Sequence, residues 1–370
     1  MEKAKVFYTD FRATPEQNLL QKLRRLLQRA GMTGMELDGK FTAVKIHFGE
    51  PGNLAFLRPN YARTVVDVLK EMGARPFLTD CNTLYTGMRR NALDHLDAAY
   101  QNGFSPLQTG CHVLIGDGLL GTDDVAVPIN GKYFHEALIG RAIMDAEAII
   151  TLNHFKCHEG TGIGGALKNL GMCCGSTAGK RAMHHEGKPD VRPDMCIGCG
   201  RCQKVCAHGA ISFTGEKGSR KACINHDLCV GCARCVGVCR DRGAILGPDS
   251  SNEVLAEKIS EYAFAVVKDR PNFHISLVMD ISPCCDCHEE NDAPVIADVG
   301  MFASFDPVAL DTACAEACNR MQPLPGTVLD GRERTGDVFH DVHPYTSWRR
   351  GVEHAQALGM GTMDYELIRI

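Results

Sequence analysis

Two runs of cysteine near the middle of the chain have the spacing that iron–sulfur clusters require. Each run is C-x₂-C-x₂-C-x₃-C, and each is followed by a Gly-Ala-Ile step. This internal duplication predicts two [4Fe–4S] clusters, in which the fourth cysteine of each run binds the cluster of the other run. The predicted ligands are Cys196, Cys199, Cys202 and Cys239 for one cluster, and Cys229, Cys232, Cys235 and Cys206 for the second.

The same spacing is typical of a bacterial-type ferredoxin segment, and the competing interpretations fit less well. Two zinc ribbons would need C-x₂-C pairs separated by a longer loop. A disulfide framework would need an oxidising compartment, which nothing in the sequence indicates. The pattern departs from the ferredoxin type in one respect, because the proline that follows the fourth cysteine is replaced by Ala207 in one run and by Arg240 in the other.

The composition is that of a globular protein with a large core. The chain has 370 residues, of which 44% are hydrophobic and 23% are charged, and its net charge is −5. The net charge argues against nucleic acid as a partner. We expect neither a signal peptide nor a membrane span. With 19 Cys, eight of them predicted cluster ligands, the expected location is a reducing cytoplasm.

Outside the cysteine runs, strand and helix signals alternate along the chain. Strands are predicted at 5–8, 43–48, 76–79, 112–115, 148–152, 273–279 and 294–298. Helices are predicted at 15–30, 60–73, 89–101, 135–145, 253–268 and 307–319, and the tail adds a helix at 347–358 and a strand at 365–370. Repeated βα units with apolar strands predict an α/β fold with a mainly parallel sheet and helices on both faces.

The cysteine-rich segment interrupts this alternation instead of following it. Strand and helix signals resume after residue 248. We therefore predict a small α+β two-cluster ferredoxin domain at 188–248, inserted into one α/β domain made of residues 1–187 and 249–370.

Polar side chains collect where the predicted strands end. Ligands of open α/β sheets bind at the carboxyl ends of the strands, so a shared pocket is expected there. For any single residue, a solvated loop position or a helix cap is the competing interpretation. The candidate catalytic residues are Lys45, His47, Asp80, Asp117, His154, Lys156 and His158.

A glycine-rich stretch at 160–165 leads into a predicted helix. Backbone N–H groups in such a loop can bind an anion, which predicts a carboxylate or phosphate on the substrate. The stretch matches neither the dinucleotide fingerprint nor the Walker A pattern. Close helix–loop packing that requires small residues is the alternative. The candidate substrate-binding residues are Gly162, Gly164, Gly165, Lys168 and Asn169.

A second group of cysteines lies in a C-C-x-C loop after the strand predicted at 273–279. We hypothesise a third metal or cluster site built from Cys174, Cys285 and Cys287 and completed by a histidine. A redox-active thiol pair and ordinary loop structure are the alternatives. Cys314 and Cys318, four residues apart on a predicted helix, are interpreted as core residues.

Several stretches resemble the family of Fe–S-centre proteins that share the domain of unknown function 362. They are V-K-I-H-F-G-E at 44–50, F-L-T-D-C-N-T-L-Y at 77–85, H-F-K-C-H at 154–158, G-G-A-L-K-N-L-G-M at 164–172, 282–287 and 305–311. The resemblance covers nearly the whole chain. It implies an α/β fold with an embedded ferredoxin and leaves the reaction open. Similar sequences have glycine where this chain has Cys157.

Three functions are compatible with these residues. In the first, the clusters pass electrons to an enzyme pocket, where His154 or His158 is a general acid. Lys45, Lys156 and Lys168 would hold an anionic substrate there, and Asp80 and Asp117 would orient them or bind a metal. In the second, the chain is an electron carrier or metallocentre-binding protein. In the third, the clusters are only structural. A redox partner protein or a small-molecule acceptor is expected, and the oligomeric state is not indicated.

Overall fold

A central sheet organises the chain. The computed structural model describes residues 3–184, 188–206, 208–216, 218–229, 234–239, 242–246 and 249–370. The strands among them are β1 (Ala4–Thr9), β2 (Phe41–Lys45), β3 (Arg75–Asp80), β4 (Val113–Ile115), β5 (Asp124–Pro128), β6 (Glu136–Gly140), β7 (Ala148–His154), β8 (Lys156–His158), β9 (Gly162–Gly164), β10 (Asp190–Val191), β11 (Ile211–Thr214), β12 (Lys221–Ile224), β13 (Ile245–Leu246), β14 (Asn272–Val278), β15 (Gly300–Ser304) and β16 (Tyr365–Arg369).

Helices connect most of these strands. They are α1 (Leu19–Arg29), α2 (Pro59–Glu71), α3 (Ala92–Gln101), α4 (Pro106–Thr109), α5 (Arg141–Asp145), α6 (Ala166–Cys174), α7 (Thr177–His184), α8 (Arg201–Lys204), α9 (Arg234–Val238), α10 (Asp249–Val267), α11 (Pro307–Asn319), α12 (Val338–Val342) and α13 (Trp348–Ala357). Asp306 caps α11 by accepting N–H bonds from Val308 and Ala309, and Pro307 begins the helix, as the sequence predicts.

The central sheet has eight strands in the order β16-β1-β15-β14-β7-β2-β3-β4. Only β15 runs antiparallel to its neighbours, β1 and β14, and the other pairs are parallel. The strand β7 lies between two parallel partners and is buried along its whole length. This explains its continuous apolar sequence, because a strand in the middle of a covered sheet meets side chains on both faces. The predicted α/β fold with a mainly parallel sheet is confirmed.

Two hydrophobic cores cover the two faces of the sheet. Neighbouring strand residues alternate between them, with Ala43 and Ile149 in one core and Val44 and Ile150 in the other. The first core contains buried side chains of α6, α10, α11 and α13, and the second contains those of α1 and α2. The strands are therefore clamped between helices, which leaves their carboxyl ends free to carry polar side chains.

Two predicted elements are wrong. The helix predicted at 135–145 is the strand β6, which pairs with β5, followed by the short helix α5. Its apolar residues at alternate positions, Ala137 and Ile139, are buried, and this is the pattern of a strand. The strand predicted at 294–298 is a loop with one isolated bridge, Ile296 to Pro323. Its apolar residues pack into the first core without joining the sheet.

One predicted strand is shorter than expected. The strand expected at 43–48 is β2, which starts at Phe41 and ends at Lys45. His47 therefore lies in the loop beyond the strand.

The described part of 188–248 forms its own small unit. The strand β10 pairs with β13, and β11 pairs with β12, so the beginning and the end of the segment meet. A separate core contains Cys196, Cys202 and Ile211. Cys232, Ala207 and Arg240 lie outside the described residues. None of the helices that the structure describes is both long enough and apolar enough to cross a membrane.

His274 on β14 makes the stability of the sheet sensitive to acid. Its ring is fully buried, its nitrogens contact Thr151 Oγ1 at 3.0 Å and Asn272 Oδ1 at 2.8 Å, and burial lowers the pKa of His274 to about 3. The unfolded chain takes up a proton below the ordinary pKa of about 6.5, whereas the folded protein does not. The stability that this neutral ring contributes is therefore fully present above pH 6.5 and is lost as pH falls toward 3.

We expect this loss to be about 1.4 kcal/mol for each pH unit below 6.5. His274→Gln, which cannot be charged, should flatten the pH dependence of the urea-unfolding free energy between pH 7.5 and 5. The control is His112→Gln, at an exposed position. Equal slopes for the wild type and His274→Gln would contradict this assignment.

Candidate functional site

A cavity opens beside the carboxyl ends of β2 and β3. Its empty volume, including the opening to solvent, is about 750 Å³. Three stretches of chain contribute most of its polar lining: the strand ends, the connection from β7 to α6, and the loop after β14. The polar and titratable residues that line it are His47, Asp80, Cys81, Thr83, Tyr85, Arg89, His158, Glu159, Lys168, Cys173, Lys180, His184, Cys287 and His288.

The residues at the end of β7 face the cysteine loop at 284–288. His154 contacts Asp286, with 2.8 Å between Nδ1 and Oδ1. Two residues further along, the Lys156 ammonium lies 3.3 Å from Cys285 Sγ. His158 lies close to both Cys285 and Cys287. The structure therefore brings His154, Lys156 and His158 to one loop. The strand β7 leads into the first stretch and β14 leads into the cysteine loop, and these two strands are neighbours in the sheet.

His154 has no ring nitrogen left for a substrate. Its Nδ1 lies between the two Asp286 oxygens at 2.8 and 2.9 Å, and its Nε2 donates to the Met279 carbonyl at 2.8 Å. A carbonyl only accepts hydrogen bonds, so Nε2 carries a hydrogen. The side chain is 2% exposed. This geometry makes His154 a residue that positions the cysteine loop, whereas His158 lines the cavity.

Lys45 lies below the cavity in a buried ion pair. Its ammonium contacts Asp80 Oδ1 at 3.0 Å and donates to Asn169 Oδ1 at 2.7 Å, and its side chain is 0% exposed. Burial alone lowers the pKa of Lys45, but Asp80 and the Cys173 and Cys174 thiols outweigh it, so the pKa is raised. Asn169 also donates to the Lys45 carbonyl. Both residues therefore support the strand ends from within.

Asp80 lines the cavity and, in the part of the chain that the structure describes, has one oxygen without a hydrogen-bond partner. Burial raises the pKa of Asp80, but the charges of Lys45, His95 and Arg89 lower it by more, so the pKa is below its usual value and the carboxylate is ionised. Its Oδ2 is buried and has no hydrogen-bond partner among the described residues. The nearest guanidinium nitrogen, Arg89 Nη1, lies 3.6 Å away. This oxygen is therefore a buried acceptor that the described residues leave unsatisfied.

Asp117 follows β4 and His47 follows β2, and each is held by its own contacts. Asp117 Oδ1 accepts two bonds from Asn82 at 2.9 Å, its Oδ2 has no partner among the described residues, and burial raises its pKa. His47 accepts from the Gly49 N–H at 3.1 Å, and its Nε2 lies 3.0 Å from Arg89 Nη1. Burial and the Arg89 charge lower the pKa of His47. The imidazole of His47 is therefore neutral.

A carboxylate of the protein itself occupies the start of α6. Asp311 accepts from the N–H groups of Ala166 and Leu167 at 2.7 and 2.9 Å. A Cβ on Gly165 would lie 2.4 Å from Asp311 Oδ1, and one on Gly164 would lie 2.6 Å from Lys156 Nζ. These two glycines allow close approach of charged side chains, as in the packing alternative. Gly162, with a φ of 79°, is buried in β9.

Four hydrogen-bond donors surround the sulfur of Cys285. The Lys156 and Lys168 ammoniums lie 3.3 and 3.6 Å away, and the Cys287 thiol and the His158 ring also hydrogen-bond to it. The Cys287 hydrogen bond lowers the pKa of Cys285; burial opposes this, and the two lysines and His158 lower the pKa further. The same hydrogen bond and burial raise the pKa of Cys287. Because two ammonium groups contact the Cys285 sulfur and the Cys287 thiol donates to it, Cys285 is the thiolate of the pair.

The same region contains side chains that can hold a metal ion. The ligand atoms of His158, Cys285 and Cys287 lie within 4.8 Å of one another, and so do those of Glu159, Cys287 and His288. Cys174 is placed elsewhere, because its thiol faces the Asn169 carbonyl at 3.6 Å. Of the three ligands predicted from the sequence, Cys285 and Cys287 therefore lie in one group and Cys174 does not. The sequence analysis did not select Glu159 and His288, which lie with Cys287 in the second group.

Glu159 and His288, which the sequence analysis did not select, pair with each other at the cavity wall. Glu159 Oε1 lies 2.7 Å from His288 Nε2. Burial lowers the pKa of His288, but Glu159 outweighs it and raises the pKa to about 10. Each residue directly follows a predicted site residue in sequence, which was the available signal. Arg89, which bonds Glu50 at 2.9 Å, had no comparable signal because its partner is far away in sequence.

Asp311 provides a test of how α6 begins. Asp311→Ala should destabilise the protein by about 1–3 kcal/mol, because two buried N–H donors lose their acceptor. Asp311→Asn keeps one acceptor oxygen and should cost less. Urea-unfolding midpoints measure both. If the two variants unfold at the wild-type midpoint, the carboxylate does not cap the helix.

Comparison with known proteins identifies the family. No curated protein sequence matches the chain. A Thermotoga maritima protein of known crystal structure is 13% identical, with a TM-score of 0.37 over 73% of this chain and 52% of that one. The lactate racemase apoprotein from Thermoanaerobacterium thermosaccharolyticum is 11% identical, with a TM-score of 0.33 over 75% and 51%. The chain thus spans about half the length of both. The family model named domain of unknown function (DUF362) matches residues 42–316, which is well over half of the sequence, so the chain belongs to the DUF362 family.

Proposed function

We propose that the chain is an iron–sulfur redox enzyme, in which two [4Fe–4S] clusters pass electrons to the cavity at the strand ends. Residues 188–248 are the inserted ferredoxin-type domain, and residues 1–187 and 249–370 make the α/β domain that carries the cavity. The clusters would supply transfer of one electron at a time. The protein itself would bind the substrate, hold it against the cysteine loop and supply protons.

The observation that carries the proposal is a small cavity inside the inserted segment. Its wall includes all four cysteines assigned to the first cluster: Cys196, Cys199, Cys202 and Cys239. The first three come from one run and the fourth from the other run, as the duplicated pattern requires. Most of the remaining wall is apolar, with Phe213 and Ile245 among its residues.

The pKa of Cys202 is consistent with four cysteines that surround one cluster. Burial raises the pKa of Cys202, and the nearby Cys199, Cys239 and Cys196 raise it further. Four thiolates this close repel one another unless a cationic centre lies between them. The donor set therefore fits a [4Fe–4S] cluster, which takes four thiolate ligands.

The second cluster would lie next to the α/β domain. Cys206, Cys229 and Cys235 are all partly buried. Two residues that flank Cys206 touch a loop of the α/β domain: Thr86 Oγ1 donates to the Val205 carbonyl at 3.2 Å, and His208 Nε2 contacts the Leu84 carbonyl at 3.1 Å. Leu84 lines the main cavity. The cluster that includes Cys206 would therefore be the one nearer the substrate.

The charges of the cavity favour an anionic substrate. Lys168 and Lys180 both line it and are both at least nine-tenths buried. Arg89, which also lines it, is paired with Glu50. His158, whose ring lies at the same wall and donates to Cys285, would supply a proton by way of that sulfur. A small-molecule acceptor in this cavity distinguishes the enzyme from a carrier, which would need only a protein partner.

Iron and acid-labile sulfide analysis tests the cluster assignment. Anaerobically purified wild-type protein should contain about eight irons and eight sulfides per chain. Cys239→Ser should lower the iron content to about four, because it removes a ligand of the first cluster. Cys223→Ser, an exposed cysteine of the same segment outside both runs, should keep all eight. Full iron content in Cys239→Ser would contradict the ligand set.

Reoxidation of the reduced protein separates enzyme from carrier. Chemically reduced wild-type protein should be reoxidised by a small-molecule acceptor from a screened panel of anionic compounds. His158→Ala should slow this about 100-fold, as expected for loss of a general acid, with unchanged cluster absorbance. The control is His112→Ala, at an exposed position. Reoxidation by protein acceptors alone would favour the carrier, and full turnover in His158→Ala would remove its role.

A further inference from the structure

The cysteine loop holds two thiols in a tight turn. The His288 N–H donates to the Cys285 carbonyl at 2.9 Å, which closes a turn over residues 285–288. Asp286, between the two cysteines, is fixed by His154. Cys285 is 0% exposed and Cys287 is 7% exposed. Of these two thiols, Cys287 lines the cavity and Cys285 lies behind it.

The surroundings of Cys285 suit a bare thiolate better than a metal-bound one. Its sulfur faces the ammoniums of Lys156 and Lys168, whose two positive charges would repel a divalent cation on the same sulfur. Both lysines are at least nine-tenths buried, so water screens little of this repulsion. Asp286, the nearest carboxylate in the loop, is already paired with His154.

The tautomer of His158 also favours a bare Cys285 thiolate over a metal-bound one. Backbone N–H groups of Gly160 and Thr161 donate to Nδ1 at 3.1 and 3.2 Å. Nδ1 is therefore an acceptor, and in the neutral ring the hydrogen is on Nε2. A histidine that binds a metal through Nε2 carries its hydrogen on Nδ1 and donates it to an acceptor. His158 has two donors at that position, so its ring is arranged to donate to Cys285.

We propose that Cys285 and Cys287 form a reversible dithiol–disulfide couple at the wall of the cavity. On oxidation the pair loses two electrons and the Cys287 proton, and an S–S bond forms. On reduction that bond breaks, two electrons and one proton enter, and the products are the Cys285 thiolate and the Cys287 thiol. This inference rests on the proposed function for its reductant, since two [4Fe–4S] clusters would each supply one electron.

The couple would convert two single-electron steps into one two-electron step. Cys287 lines the cavity, so its sulfur can attack the S–S bond of a small-molecule disulfide there while the Cys285 thiolate takes its proton. The first half of the substrate leaves as a thiolate and takes up that proton; Cys285 then attacks the Cys287 sulfur and releases the second half as a thiolate. The substrate class is therefore a low-molecular-mass disulfide or a comparable two-electron acceptor. Lys156 and Lys168 stabilise the reduced form, and a stabilised reduced form makes a disulfide more oxidising. The disulfide would thus be readily reduced by the clusters.

Redox equilibration followed by alkylation tests the couple. Anaerobically purified protein is equilibrated with mixtures of reduced and oxidised dithiothreitol, quenched in acid, alkylated and mapped by peptide mass. We expect one two-electron transition that joins Cys285 to Cys287. Cys285→Ser and Cys287→Ser should abolish it with cluster absorbance unchanged. The matched control is Cys284→Ser, in the same loop, which should retain it.

Three outcomes would overturn the proposal. The first is that both thiols remain alkylated in the most oxidising mixture. The second is a transition that requires Cys284. The third is binding of one Co²⁺ per chain with thiolate charge-transfer absorption that depends on Cys285, Cys287 and His158, which would make the site a metal centre. Because alkylation detects the couple without the clusters, iron analysis on the same sample separates its failure from failure of the proposed function.

Lysine variants test the cause of the oxidising character. Lys156→Gln and Lys168→Gln should each shift the equilibrium with dithiothreitol toward the disulfide roughly tenfold, because each removes a charged donor from Cys285. Lys180→Gln removes another buried cavity lysine, whose ammonium donates to the Gly175 carbonyl, and should leave the equilibrium unchanged. An equal shift in all three variants would show that overall charge, and not contact with the sulfur, sets the equilibrium.

Discussion

The hydrogen bond between His154 and Asp286 holds the candidate site together. It joins the end of β7 to the loop that follows β14, and the two strands are parallel neighbours with His154 opposite Leu277. Both partners are nearly fully buried, and removing either one leaves a buried polar group without its partner. Lys156 and His158 reach the cysteine loop because His154 fixes where that loop lies.

The buried charges of the site form a linked set. Lys45 pairs with Asp80, Arg89 with Glu50 and Glu159 with His288. Each pair satisfies groups that would be costly to bury alone. Two sets of groups remain: an Asp80 oxygen without a partner among the described residues, and the ammoniums of Lys156 and Lys168 around the Cys285 sulfur, of which Lys168 also lines the cavity. The pocket is therefore polar in specific places instead of uniformly charged.

In the proposed function, residues 188–248 supply this pocket with electrons. Its two ends pair with one another through β10 and β13, so the segment interrupts the α/β chain without separating the strands on either side of it. Its contacts at Leu84 and Thr86 lie on a loop that also lines the cavity. A dithiol–disulfide couple between the clusters and the substrate would match single-electron donors to a two-electron reaction.

The sequence by itself determined the sheet class, the cap of α11 and the spacing of the cysteine runs. These depend on local pattern: alternation of apolar residues, an Asp-Pro pair at a helix start, and thiols at fixed gaps. It also placed His158, Lys168, Cys285 and Cys287 among the candidates, because strand ends and turn cysteines are visible in one dimension. Segments whose buried residues could serve either a strand or a helix, such as 135–145, were assigned wrongly for the same reason.

Only the tertiary structure decided which candidates act on one another. It showed that Asp311, far along the chain, occupies the start of α6, and that Lys45 and His154 are engaged within the protein. It also replaced Cys174 by His158 beside Cys285 and Cys287. Apart from the pair of Lys45 with Asp80, each of these outcomes depends on contacts between residues more than 100 positions apart. Local sequence pattern does not encode such distances, because they are set by the order of strands in the sheet.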